Sequence, residues 1–135
     1  MKNLQQIKES LILESAKTDI KKVDKAVKEI NKIISSAIDK DGDPVEVIDT
    51  SSTWEAPMIY EPIEFKNNIL KIKYKEMGNG YKWEKKEDSF DMNDYLEKGD
   101  DSEQYWQYDD GFEMLKYIKR MYNKAIKNAK KEGKM

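Results

Sequence analysis

Apolar residues recur along the N-terminal third at alternating steps of three and four: Leu13, Ala16, Ile20, Val23, Val27, Ile30, Ile34 and Ala37. Lysines and acids fill the positions between them. Held over more than three heptads, this stripe predicts a long helix that packs along another helix. That partner is either the C-terminal helix or a second copy of the chain, in a homodimer through the N-terminal helix. Leu4, Ile7 and Leu11 form a similar stripe out of phase with the first, which allows a break or kink near residues 11–13. Gly42 can take a left-handed cap and Pro44 forbids continuation, so the helix ends near residue 40.

The period then changes to two. Residues 45–48 and 58–60 are short strand candidates, and Pro57 and Pro62 push the second toward an edge. Ile63 and Phe65 alternate with Glu64 and Lys66, and Asn67-Asn68 can supply the positive φ angles of a tight hairpin. Leu70, Ile72 and Tyr74 alternate with Lys71, Lys73 and Lys75, as in a half-buried antiparallel strand. After a turn at Gly78-Asn79-Gly80, Tyr81 and Trp83 are expected to face the core. Ser89 reads as the cap of a short acidic helix over 90–98, ended by Gly99. Residues 100–109 read as an ordered but irregular loop. Asp110 and Glu113 suggest a capping-box start for the last helix, whose apolar face is Phe112, Leu115, Ile118, Tyr122, Ala125 and Ala129. The fold class expected is α+β: a long N-terminal helix (1–40), a three- to four-stranded antiparallel meander (44–87), an acidic–aromatic segment with a short helix (89–110) and a Lys-rich C-terminal helix (111–131). At 135 residues this is one domain's worth of chain.

Charge changes the picture more than pattern does. The formal net charge is only −2, yet Glu84 to Glu113 holds twelve carboxylates against three lysines. Residues 116–134 hold eight cations against Glu132 alone. Phe90, Tyr95, Tyr105, Trp106, Tyr108 and Phe112 are threaded through the acidic block. Spaced carboxylates with aromatic anchors suit a basic protein surface, and such a block can imitate a phosphate backbone. The candidate partner-binding residues are Asp88, Asp91, Asp94, Tyr95, Asp100, Asp101, Tyr105, Trp106 and Asp109. The basic helix could lie on nucleic acid, but the acidic neighbour and the single arginine argue against direct nucleic-acid binding.

The chain has neither cysteine nor histidine. Disulfides, thiolate nucleophiles, Cys-type metal sites and the commonest general base are thereby excluded, so no catalytic residues, metal or cofactor are expected. Two weaker patterns occur. Asp39, Asp41 and Asp43 look like the opening of an EF-hand calcium loop, but Pro44 and Thr50 stand where glycine and glutamate are required, which leaves a helix-stop turn. Asp49 followed by Glu64-Phe65-Lys66, with Glu29 on the preceding helix, follows the order of a metal-nuclease pattern that any strand rich in Glu and Lys produces by chance.

No signal-peptide core or ~20-residue apolar span is present, so a cytoplasmic, non-membrane protein is expected. Lysine outnumbers arginine 24 to 1, the imprint of an AT-rich bacterial genome or its mobile elements. The expected function is non-catalytic: an acidic inhibitor or regulator of a basic nucleic-acid-handling partner, of the phage or mobile-element anti-defence type. A helix-pairing adaptor that forms a homo-oligomer is the alternative, and a metal-dependent nuclease the third reading.

Overall fold

In the computed structural model the described residues are 3–49 and 55–135, without the side chains of residue 5 and residues 7–13. Helix α1 runs unbroken from Leu4 to Ser36, so there is no break near 11–13. Asn3 caps it: its side chain accepts the Gln6 N–H, and the Gln6 side chain accepts the Asn3 N–H. Ala16, Ile20, Val23, Val27 and Ile30 are buried, and Ala37 just beyond the helix is buried too. Leu13, Ile7 and Leu11 lie outside the described side chains.

The stripe packs within its own chain, against α2 (Asn93–Lys98) and α3 (Tyr105–Lys131). The two long helices run parallel. Glu29 pairs with Lys119, and beyond the helix ends the Lys40 N–H donates to the Lys134 carbonyl. The turn between α1 and the sheet is built by Asp39, whose carboxylate accepts the N–H groups of Asp41 and Asp43, with Gly42 at φ 83°. Asp39 is thus spent on a helix stop, and no group of three acids that could hold a metal occurs among the described residues.

The sheet comprises β1 (Val47–Ile48), β2 (Pro57–Tyr60), β3 (Glu64–Lys66), β4 (Ile69–Met77) and β5 (Trp83–Asp91), all antiparallel. β2 and β3 lie end to end along one edge of β4, so the sheet is four strands wide. Pro62 interrupts that strand, and the side chain of Asn31 on α1 repairs the gap. Its amide donates to the Ile63 carbonyl at 2.9 Å and accepts the Ile63 N–H at 2.7 Å. The N–H of Tyr60 at the edge of β2 is satisfied by the Tyr122 hydroxyl at 3.1 Å. Asn67 and Asn68 close the β3–β4 hairpin with φ 54° and 61°, as their sequence foretells.

Leu70, Ile72, Met58 and Tyr60 face the helices, where Leu115, Ile118 and Tyr122 of α3 complete the core. Among the described residues no helix is long and apolar enough to cross a membrane.

Four local expectations fail. Tyr81 and Trp83 do not face the core: Tyr81 is 89% exposed and Trp83 38%. Trp83 pairs with Met77 on the sheet face turned away from the helices, opposite to the face of Leu70 and Ile72, and Tyr81 stands in the turn before β5. Ser89 caps nothing, because β5 continues through it to Asp91. Residues 100–109 are not an irregular loop: a 3-10 turn covers Gly99–Asp101 and α3 begins at Tyr105. Asp110 therefore sits inside α3, and it is Ser102, before the helix, that accepts the first N–H groups: Gln104 on its hydroxyl at 3.0 Å and Tyr105 on its carbonyl at 3.3 Å.

Candidate acidic and aromatic site

The end of β5, α2, the 3-10 turn and the start of α3 meet beside the middle of α1. Their junction is an aromatic stack. The rings of Tyr95 and Tyr108 lie parallel at 4.2 Å, with Tyr105 edge-on to them at 5.5 and 6.1 Å. Phe112 extends the stack from Tyr108 at 5.9 Å. The Tyr95 hydroxyl donates to Asp19 of α1 at 2.6 Å. Burial, then the Asp19 carboxylate, raises the Tyr108 hydroxyl to about 12. The Tyr105 hydroxyl is also raised, first by burial and then by Asp109, Asp100 and Asp19. Carboxylates from α1, the 3-10 turn and α3 therefore converge around one set of rings, all of which stay protonated at neutral pH.

The nine sequence candidates divide by what their side chains touch. Tyr95 is buried and supports the surface from beneath. Asp91 accepts from the Asn93 N–H and side-chain amide at 3.0 and 2.9 Å, fixing the entry to α2. Asp94 accepts from the Ser102 hydroxyl and pairs with Lys98 at 3.2 Å. The Ser102 bond, then Lys98, holds the Asp94 carboxyl below its ordinary range. Asp88 stands apart, on the helix-facing side of β5 opposite Ile72.

What remains is a compact outward face: Asp100, Asp101 and Asp109 are exposed, Tyr105 is 39% exposed and Trp106 50%. Glu97, Glu103 and Asp110, outside the nine, are exposed around it. None of Asp100, Asp101, Asp109 or Asp110 makes an ion pair among the described residues. Helical spacing puts Trp106 on the same ridge as Asp109, Asp110 and Glu113.

Three contributors escaped sequence reasoning. Asp19 flanks the α1 stripe and looks like any solvated acid, while Ser102 and Gln107 clamp the segment through bonds to Asp94 and to the Asp91 N–H. None of the three left a signal in the sequence, since Glu14, Asp24 and Glu29 flank the same stripe as Asp19 does. The residues of the nuclease pattern are not brought together. Asp49 accepts from the Tyr117 hydroxyl, Glu29 pairs with Lys119, and Glu64 stands opposite Lys71 in the sheet. Compared with known proteins, the chain matches no family model, no curated protein and no solved structure.

Proposed function

We propose that this chain is a non-catalytic binding protein, an inhibitor or regulator that docks its acidic–aromatic face on a basic surface of a nucleic-acid-handling partner. The observation that supports this most is the half-exposed Trp106, on one helical ridge with Asp109 and Asp110, next to Tyr105, whose hydroxyl feels Asp109 and Asp100. These carboxylates, and the exposed Asp101, have no ion-pair partner among the described residues. A large exposed indole among uncompensated carboxylates is the composition of an interface anchor with an electrostatic rim. The face rests on a stacked, hydrogen-bonded base, so binding would order few side chains and lose little affinity to that cost.

The test is affinity capture of partners from a bacterial lysate at low and at high salt. The wild type should retain a basic protein that is released as screening shortens the reach of the charges. Asp100→Lys with Asp101→Lys and Asp109→Lys, and separately Trp106→Ala, should abolish capture without lowering the melting temperature. Capture that survives both changes refutes the reading. Asp91 and Asp94 are left intact, because their carboxylates hold the fold.

A further inference from the structure

The β4–β5 hairpin carries a second surface, of opposite charge, on the sheet face turned away from the helices. One row crosses all four strands: Ile48 pairs with Pro57, the β2–β4 register continued by one residue sets Pro57 opposite Met77, and Met77 pairs with Trp83. Ile48 is 46% exposed and Trp83 38%. The next row on this face is Ile59, Lys75 and Lys85, in which the two lysines stand directly opposite each other. Lys73 faces Glu87 and Lys71 faces Glu64, so those charges are matched across strands. Lys75 and Lys85 are not, and neither makes an ion pair among the described residues. The other face of the same hairpin differs: the opposed Glu76 and Glu84 are relieved by Lys86, 2.6 Å from Glu76.

At the tip Tyr81 holds φ 60°, a conformation that disfavours a bulky residue, and its ring is 89% exposed. The tip thus presents two open rings, Tyr81 and Trp83, interleaved with Lys82, Lys75 and Lys85. These features require a partner that offers negative charge at close spacing and flat faces for stacking. Single-stranded nucleic acid offers both, and binds without sequence preference through lysine point charges and aromatic platforms. A duplex hides its bases, and an acidic peptide supplies the charge without a planar face at each step.

The acidic block does not forbid this. Of its carboxylates within the hairpin, Glu84 and Asp88 lie on the other face of β5 and Glu87 is matched by Lys73. Asp91, at the far end of the strand, is eight residue steps or about 27 Å from Trp83, against a Debye length of about 8 Å at physiological salt. We propose that the open face of the β4–β5 hairpin, through Tyr81, Trp83, Lys75 and Lys85, is a binding surface for single-stranded nucleic acid.

The experiment is fluorescence anisotropy of labelled oligothymidylate and oligouridylate of about sixteen nucleotides. Two lysine–phosphate contacts predict a log–log salt slope of about −1.4, or about a sevenfold loss of affinity between 50 and 200 mM salt. Trp83→Ala should weaken binding at least about fivefold, the lower end for a lost stacking platform. Lys75→Ser with Lys85→Ser should remove the salt slope. Lys75→Glu, which creates a cross-strand ion pair with Lys85, should lose affinity while melting no lower than the wild type, separating binding from folding. Asp101→Asn with Asp109→Asn should leave affinity unchanged at physiological salt. Absence of oligonucleotide binding at 50 mM salt overturns the proposal. So does binding that survives the combined Lys75→Ser, Lys85→Ser and Trp83→Ala change, or competition by polyglutamate as strong as by unlabelled oligonucleotide.

Discussion

Asn31 follows Ile30 of the buried stripe and supplies both hydrogen bonds that the interrupted strand needs at Ile63. Asn31→Ala removes them together and leaves a donor and an acceptor half-buried. Urea denaturation should register a loss of about 1–3 kcal/mol, more than a solvated helix position would cost. Gly111 is a residue of a different kind. A Cβ there would meet Met92 Cε at 2.8 Å and Phe90 Cγ at 3.2 Å, so α3 crosses the end of β5 in close contact. Gly111→Leu should cost about 1–3 kcal/mol by overpacking, seen as a lower melting temperature. Neither role shows in the sequence, because the partners of Asn31 and Gly111 lie 32 and about 20 residues away. Asn67 and Asn68 were legible because a positive φ is a local demand that names its own residues.

Among the elements, the β4–β5 hairpin shows what alternation measures. The period of two correctly tells which residues share a face, and the observed pairs Leu70–Phe90 and Met77–Trp83 keep that parity. Which of the two faces of β5 meets the helices is set by its register with β4, and that register turns Trp83 away from them together with Met77. The opposed Lys75 and Lys85 make the hairpin weaker than its length allows. Lys75→Glu should therefore stabilise the protein by about 0.2–1 kcal/mol, measurable as a higher denaturation midpoint with unchanged slope. Helix α3 gives the complementary lesson. Its apolar face was readable, with Leu115, Ile118 and Tyr122 buried as expected, but its start was not. Asp110 offers a cap, whereas Ser102 accepts the Gln104 and Tyr105 N–H groups and the first turn from residue 105 packs Tyr105 and Tyr108 on Tyr95. These bonds and the packing of three rings together outweigh a cap contributing about 1 kcal/mol.

At the scale of the molecule, the tyrosine stack makes stability sensitive to alkaline pH. The folded Tyr108 titrates at about 12 against 10 for an ordinary tyrosine, and Tyr95 beside it is raised as well. A group raised on folding contributes fully below its unfolded pKa and loses that contribution as pH rises through the folded one. Stability attributable to Tyr108 should thus be level below pH 10 and fall by on the order of 1–3 kcal/mol between 10 and 12. Denaturation curves taken across that range should show a shallower fall for Tyr108→Phe, and an equal fall would reject the assignment. Charge is redistributed at this scale too. The acidic block is contiguous in sequence, but Asp91 and Asp94 are consumed internally and Asp88 faces the helix side of the sheet. Asp100, Asp101, Asp109 and Asp110 are the part of it left exposed without an ion pair among the described residues.

The sequence by itself determined the α+β class, the long N-terminal helix with its buried stripe, the asparagine hairpin and the presence of an acidic–aromatic segment. Each depends on periodicity, a local φ preference or charge density, all properties of neighbouring residues. The tertiary structure alone decided which carboxylates remain free, that Tyr95 and Tyr108 are buried while Trp106 is exposed, and that Tyr81 and Trp83 stand beyond the core. Those outcomes follow from contacts between elements distant in the chain. The ends of the helices and the register of the hairpin set them, and no local pattern encodes either.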